Sequence, residues 1–179
     1  MSYYTFIALN MLNLNKVNGI NIGEYVYNDQ GAYVTDGIYI GSLATAQNEQ
    51  CLKHMNIGAI VNLSGFKYTS SKPVLNIEMD DAMVTPQNME VYIKKFAIGV
   101  SAITSAVAEG YNVLIHCAAG INRSATLIAF YLISIGMTYD KAFTALHLAN
   151  TQRKVPLLTN KSFRYLLQAM DSFNRNFKK

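Results

Sequence analysis

The chain has 179 residues, of which 51% are hydrophobic and 15% charged, and its formal net charge is +4. This length and composition predict one domain with a buried core, and they exclude a disordered chain. The basic residues are dispersed along the sequence, so nucleic-acid binding is not expected from charge alone.

The first segment, residues 2–16, is predicted to form an amphipathic helix, and the Asn/Gly-rich residues 18–28 a connector. The segment lacks a basic leading region and a small-residue cleavage site, so it does not resemble a signal peptide. No stretch of the chain is expected to span a membrane. Residues 2–16 carry many large apolar side chains, including Tyr4, Phe6, Ile7, Leu9, Met11, Leu12 and Leu14. An isolated helix cannot leave this apolar surface in water. We therefore expect residues 2–16 either to fold back on their own domain or to form a homodimer with a second copy.

The main domain is predicted to begin near residue 31, with a strand pair over residues 32–40 around the turn dipeptide Asp36-Gly37. Further strands are predicted at residues 59–63, 74–79 and 112–117. Helices are predicted at residues 47–55, 86–109, 124–135 and 138–150, and after Asn160. Because strands alternate with helices, we predict an α/β fold: a central, mostly parallel sheet of about five strands, flanked by helices.

The most informative stretch is HCAAGINRSA, from His116 to Ala125. A buried strand is predicted to end at Cys117, and a helix to start near Arg123 after five intervening residues. A short strand–loop–helix connection directs backbone N–H groups and the positive end of the helix dipole to one point, which favours anion binding. Small side chains in the loop allow close approach of the backbone. The predicted phosphate-binding residues are Ala118, Ala119, Gly120, Ile121, Asn122 and Arg123.

The same stretch supplies the groups that a cysteine nucleophile needs. A thiolate at Cys117 is stabilised by the N–H groups and by Arg123, whose planar guanidinium can hold two phosphoryl oxygens. Ser124 can donate a hydrogen bond to the sulfur and so improve it as a leaving group. His116 is expected to fix the loop or tune the thiolate. By contrast, the isolated Cys51 is predicted to be a core residue.

The stretch HCAAGINRSATLIAFYL resembles the active-site segment of the dual-specificity protein phosphatases, and especially of their atypical and poxviral members. Three other segments carry the resemblance: YVTDGIYIGSLATAQN, AIVNLS and NKSF. The resemblance covers roughly residues 32–173 and makes residues 31–179 the expected catalytic domain, with residues 1–30 an N-terminal extension. It implies a protein tyrosine phosphatase-like fold and hydrolysis of phosphotyrosine and phosphoserine/threonine in proteins through a phosphocysteine.

The resemblance also assigns roles to residues. It gives Cys117 as nucleophile, Arg123 as phosphate binder and Ser124 as helper in hydrolysis of the intermediate, and it implies an aspartate as general acid. Asp80 and Asp81 are both candidates. Strand parity from Met79 favours Asp81. The interval from this aspartate to the cysteine is a few residues longer than in the family.

Other functions remain open at this point. Gly120, Asn122 and Arg123 also match RNA 5′-triphosphatases, although these typically carry Thr-His where this chain has Ala118-Ala119. A phosphoinositide phosphatase usually adds lysines to the loop, and a non-catalytic phospho-binding module generally loses the cysteine or arginine. No metal or organic cofactor is implied. The two cysteines, in no metal-ligand spacing, favour a reducing, cytoplasmic location.

Overall fold

A computed structural model describes residues 29–177, which form a five-stranded sheet and six helices. The strands are β1 (Ala32–Thr35), β2 (Ile38–Gly41), β3 (Ile57–Asn62), β4 (Val74–Asn76) and β5 (Asn112–His116). The helices are α1 (Leu43–Ala46), α2 (Glu49–His54), α3 (Met89–Ala108), α4 (Arg123–Ser134), α5 (Tyr139–Asn150) and α6 (Lys161–Phe177). The predicted α/β fold is confirmed. The predicted helix over residues 2–16 and the connector over residues 18–28 lie outside the described residues.

The sheet has the strand order β1-β2-β5-β3-β4. Strands β1 and β2 form an antiparallel hairpin, and its turn residues Asp36 and Gly37 both have positive φ, as a tight primed turn requires. The other three pairings are parallel. The carboxyl ends of β2, β3, β4 and β5 therefore meet at one edge of the sheet, where ligand sites of α/β proteins form.

Two hydrophobic clusters cover the two faces of the sheet, and the central strand β5 contributes to both. Val113 and Ile115 point into the larger cluster, which includes residues of α3, α4, α5 and α6. Leu114 points into the smaller cluster beside α2, with Leu52 and Cys51. The alternation follows from the two-residue period of a strand, and burial on both faces explains the continuous apolar run in the sequence.

Several predicted boundaries need correction. The strand expected over residues 74–79 ends at Asn76, and Leu75 is 38% exposed, so it does not share a buried face with Ile77 and Met79. The reason is that β4 is an edge strand and the chain leaves the sheet after three residues. The helix expected over residues 47–55 is α2, which begins at Glu49 because Asn48 is its N-cap, and the short helix α1 before it was not predicted.

Helix α3 also departs from expectation. It is long and apolar enough, with mean hydropathy 1.4, to pass a length-and-composition test for a membrane span, whereas no stretch was expected to do so. In the fold, its buried residues Tyr92, Phe96, Gly99 and Ile103 lie on the side that faces the core. A core helix of a globular domain can have this composition, so the test alone does not indicate a membrane.

Candidate active site

The connection between β5 and α4, residues 117–122, forms a tight loop at the carboxyl edge of the sheet. The carbonyl groups of Ala118 and Ile121 accept hydrogen bonds from the backbone N–H groups of Leu43 (3.1 Å) and Leu158 (3.0 Å), outside the loop. Gly120 has a φ of +68°, which a side chain would strain, and a Cβ there would lie 2.6 Å from the Gly41 carbonyl oxygen. The loop is thus tightly packed, and the carbonyl groups of Ala118 and Ile121 are bonded to segments outside it.

Cys117 lies at the start of this loop and is only 2% exposed. Its Sγ is 3.4 Å from the Ser124 Oγ. Burial disfavours the thiolate, but the positive charge of Arg123 and hydrogen bonds from the side chain and backbone of Ser124 outweigh it. The pKa of Cys117 is therefore lowered from its ordinary value, although the charge of Asp81 opposes the shift. The site favours a thiolate in a buried position.

Arg123 is the first residue of helix α4, and backbone carbonyl groups hold its side chain in place. Its Nη1 donates to the carbonyl oxygens of Leu63 (2.9 Å), directly after β3, and of Met79 (3.0 Å), three residues after β4. Its Nε is the buried side-chain donor that has no partner among the described residues. A buried charged donor without an acceptor is costly, so this atom needs an acceptor such as a phosphoryl oxygen.

His116 is fully buried, and both ring nitrogens have partners. Nδ1 lies 3.2 Å from the Cys117 carbonyl oxygen, which can only accept, so this nitrogen carries the hydrogen. Nε2 therefore accepts from the Tyr68 hydroxyl at 2.7 Å. Burial lowers the pKa of His116 to about 4, and burial also raises the pKa of Tyr68. The neutral imidazole fixes the strand end from which the loop begins; sequence analysis did not identify Tyr68.

Asp81, rather than Asp80, has its side chain bonded to the loop. Its two carboxylate oxygens accept from the side-chain amides of Asn122 (2.9 Å) and Asn160 (3.0 Å). Asp80 is exposed, and only its backbone carbonyl accepts from the Tyr92 hydroxyl (3.2 Å). The parity argument that favoured Asp81 does not apply, because the chain has left the sheet before this point. Asp81 is placed by two amides and not by strand alternation.

The side chain of Asn122 makes structural hydrogen bonds that the sequence did not predict. It was predicted to bind phosphate through its backbone, yet its side chain ties the loop to two other segments. Its Nδ2 donates to Asp81, while its Oδ1 accepts from the Thr159 hydroxyl (3.1 Å) and the Asn160 backbone N–H (3.0 Å). Asn160 in turn accepts from the backbone N–H groups of Ser162 and Phe163 near the start of α6.

Within residues 29–177, no cluster of metal-ligating side chains occurs.

A sequence model described as the dual specificity phosphatase catalytic domain matches residues 38–172. The chain therefore belongs to the dual specificity phosphatase family. Dual specificity protein phosphatase 1 of Arabidopsis thaliana is 31% identical over 119 residues, covering 61% of this chain and 54% of that protein. A protein of Amsacta moorei entomopoxvirus is 32% identical over 116 residues, covering 61% of this chain and 70% of that protein. The predicted likeness to poxviral members is thus confirmed.

Solved structures show the same fold. Human DUSP28 superposes with a TM-score of 0.66 at 21% identity, covering 82% of this chain and 95% of that chain. DUSP15 superposes with a TM-score of 0.66 at 22% identity, covering 83% and 94%. The chain spans about half the length of the plant relative it matches. The predicted protein tyrosine phosphatase-like architecture is confirmed.

Proposed function

We propose that this domain hydrolyses phosphate monoesters on proteins, at tyrosine and at serine or threonine, through a phosphocysteine intermediate. The observation that carries the proposal is that a buried, thiolate-favouring Cys117 and the partnerless Nε of Arg123 lie at the two ends of one short loop. Phosphoryl transfer requires a nucleophile next to a fixed group that binds the phosphoryl oxygens.

In the first step, the Cys117 sulfur attacks phosphorus and the bond from phosphorus to the substrate oxygen breaks. Arg123 and the loop N–H groups hold the nonbridging oxygens, whose negative charge they stabilise through the transition state. Asp81 supplies a proton to the leaving oxygen, so the product departs as a neutral hydroxyl. The product of this step is phosphocysteine.

In the second step, water attacks the phosphorus of phosphocysteine. Asp81, now ionised, takes a proton from the water, and the bond from sulfur to phosphorus breaks. The Ser124 hydroxyl, 3.4 Å from the sulfur, donates a hydrogen bond to the departing thiolate. Inorganic phosphate leaves, and the thiolate is restored without a cofactor in either step.

The family match favours a protein substrate over RNA or a phosphoinositide. The chain retains Cys117, Arg123 and Ser124, whereas a silent phospho-binding module generally loses the cysteine or arginine. This retention argues against such a module. Residues 29–177 contain no long insert between their helices and strands, which supports a shallow pocket that accepts both kinds of phosphoresidue. Both cysteines are free thiols, and a mechanism that needs a reduced thiol supports a cytoplasmic location.

The test is phosphate release from a panel of phosphotyrosine, phosphoserine and phosphothreonine peptides, with 5′-triphosphorylated RNA in the same panel. We expect release from peptides of both classes by the wild-type protein. Release from the RNA alone would replace the proposal with an RNA 5′-triphosphatase. Tight binding of phosphopeptides without release would indicate a binding module.

A further inference from the structure

A second arginine, Arg153, packs against the outer side of the loop of residues 117–122, which we call the phosphate loop. A loop whose N–H groups point to a bound anion must turn its carbonyl groups away, and each buried carbonyl then needs a donor. For Ala118 and Ile121 these donors are backbone N–H groups of neighbouring segments. The Gly120 carbonyl instead accepts from the Nη1 of Arg153, at 2.9 Å. This guanidinium lies 33 residues away along the chain, just beyond α5.

Arg153 is buried, with its side chain 1% exposed, and it forms a two-pronged ion pair with Asp29, which is 0% exposed. Nε donates to one carboxylate oxygen at 2.8 Å and Nη2 to the other at 2.7 Å. Nη1 remains for Gly120 and for the Asn150 side-chain oxygen at 3.2 Å. The guanidinium is therefore held in one orientation, and that orientation directs a charged donor at the loop.

Asp29 is itself fixed by several donors. The backbone N–H groups of Ser42 (2.8 Å) and Gly31 (3.1 Å) and the hydroxyl of Thr45 (3.0 Å) all donate to its carboxylate. Burial disfavours the carboxylate, but the charge and hydrogen bonds of Arg153 outweigh it, and the pKa of Asp29 lies below its ordinary value. The pair is thus charged, and it joins the start of β1, the turn after β2 and the phosphate loop.

The contact with the loop is also tight. A Cβ on Gly120 would lie 2.2 Å from the Arg153 Nη2 as well as against Gly41. A side chain at position 120 would therefore displace the buried guanidinium or the backbone of Gly41.

We propose that Arg153, oriented by Asp29, is a positioning residue that keeps the Gly120 carbonyl outward and so keeps the loop N–H groups aimed at the phosphoryl group. This inference rests on the proposed function, since it concerns the same site. The alternative is that the ion pair only stabilises the fold. The two differ in whether removing Arg153 weakens anion binding in protein that is still folded.

The experiment compares full-length Arg153→Met, Arg153→Lys and Asp29→Asn with the wild type. Lysine keeps the charge but lacks the planar fork that bonds both oxygens of Asp29 while directing a third nitrogen at Gly120. Asparagine keeps the shape of Asp29 but not its charge. Leu52→Ala is the matched control, because Leu52 is fully buried in the smaller cluster on the opposite face of the sheet. Each protein is titrated with vanadate, and the pH midpoint for iodoacetamide alkylation of Cys117 is measured below the melting temperature.

We expect folded Arg153 variants to bind vanadate about 10- to 100-fold more weakly, since a hydrogen bond from a charged donor is lost. Their alkylation midpoint should move to higher pH, because the misaligned N–H groups stabilise the thiolate less. Asp29→Asn should shift both readouts in the same direction, while Leu52→Ala lowers the melting temperature and leaves both unchanged.

Wild-type vanadate affinity in any folded Arg153 variant would overturn the inference, as would an equal loss of affinity in Leu52→Ala. If Arg153→Met does not fold, Arg153→Lys and Asp29→Asn decide by the same two readouts. A wild-type protein that binds no vanadate and alkylates at Cys117 only at alkaline pH would overturn the proposed function itself, and the inference with it.

Discussion

The two cysteines of this chain lie on opposite faces of one sheet, and their surroundings act on the thiol in opposite ways. Cys117 and Cys51 are both buried, 2% and 5% exposed. Around Cys117, the charge of Arg123 and hydrogen bonds from Ser124 lower the thiol pKa against the effect of burial. Around Cys51, burial and the charge of Asp29 raise the thiol pKa, and Sγ donates to the Gln30 side-chain oxygen at 2.9 Å.

The difference shows that burial, joined at Cys51 by a nearby carboxylate, suppresses a thiolate, and that a fixed cation with hydrogen-bond donors reverses the effect of burial. Cys51 lies in helix α2 among apolar neighbours, whereas Cys117 directly follows the parallel strand β5 and precedes a helix start. The reactive position is therefore defined by the strand–loop–helix geometry at the carboxyl edge of the sheet, and not by the presence of a buried thiol.

The largest expected effect comes from exchanging each cysteine for serine. Cys117→Ser should lower turnover of a phosphotyrosine peptide by at least about 10³-fold, because the cradle cannot ionise a hydroxyl. Cys51→Ser is the matched control and should leave turnover within about twofold. Steady-state phosphate release measures both. Comparable losses in the two variants would show that the cysteines are not functionally distinct.

A second pair of variants tests the groups around Cys117. Asp81→Asn should slow hydrolysis of tyrosyl and alkyl esters by about 10²- to 10⁴-fold, the usual contribution of general acid–base catalysis. The effect should be smaller for esters whose leaving group departs without a proton. Asp80→Asn makes the same charge change at the exposed neighbouring residue and should have little effect. If Asp80→Asn shows the leaving-group dependence and Asp81→Asn does not, the assignment of the acid is wrong.

The buried His116 beside Cys117 predicts a stability that falls as the pH is lowered. The pKa of His116 is about 4 in the folded protein and near 6.5 in an unfolded chain. Between these values the unfolded chain binds the extra proton, so the free energy of unfolding should fall by about 3 kcal/mol from pH 6.5 to pH 4.

In His116→Asn, the free energy of unfolding should lack this fall between pH 6.5 and pH 4. Urea unfolding at pH 7 and pH 4.5 would then show a stability gap between wild type and variant that narrows in acid. An equal gap at both pH values would mean that the histidine is not held neutral by its buried position between Tyr68 and Cys117.

The smallest expected effect concerns residues 2–16, whose structure lies outside the described residues. Removing residues 2–16 should lower the free energy of unfolding by at least about 1.5 kcal/mol, because burying one large apolar side chain contributes about that much. This holds whether the segment packs on its own domain or on a second copy. The shortened chain must retain Asp29, because this residue holds Arg153 at the phosphate loop. Thermal unfolding measures the cost; an unchanged melting temperature would show that the segment packs on neither.

Light scattering on the full and shortened chains separates the two arrangements. A full-length dimer that becomes a monomer on shortening supports the predicted homodimer through residues 2–16. Two monomers at tens of micromolar contradict it and leave a segment that packs on its own domain.

Local patterns predicted the parts of the site that are contiguous in sequence. The run from His116 to Ser124 predicted a nucleophile, an anion-binding loop and a phosphate-binding arginine, because strand, loop and helix follow one another directly. The contacts that fix these residues were not predictable in this way. Tyr68 lies 48 residues from His116, and Asp29 lies 124 residues from Arg153. Such pairs leave no periodic signal, since the topology of the sheet brings them together.

The fold shows the same limit. The alternation of strands and helices predicted a mostly parallel sheet, but not the early end of β4 at its edge. Strand parity therefore selected Asp81 for a reason that does not apply to the folded chain. Its position depends on the amides of Asn122 and Asn160, which are distant in sequence.

The most direct test of the account is to identify the residue that carries phosphate during turnover. A Ser124→Ala protein, in which the second step should be slow, is mixed with a phosphotyrosine peptide, quenched in acid within milliseconds to seconds and digested for mass spectrometry. We predict phosphate on Cys117 and none on Cys51. Release of phosphate with no labelled cysteine, or with label on another residue, would contradict the proposal that the Cys117 thiolate is the nucleophile.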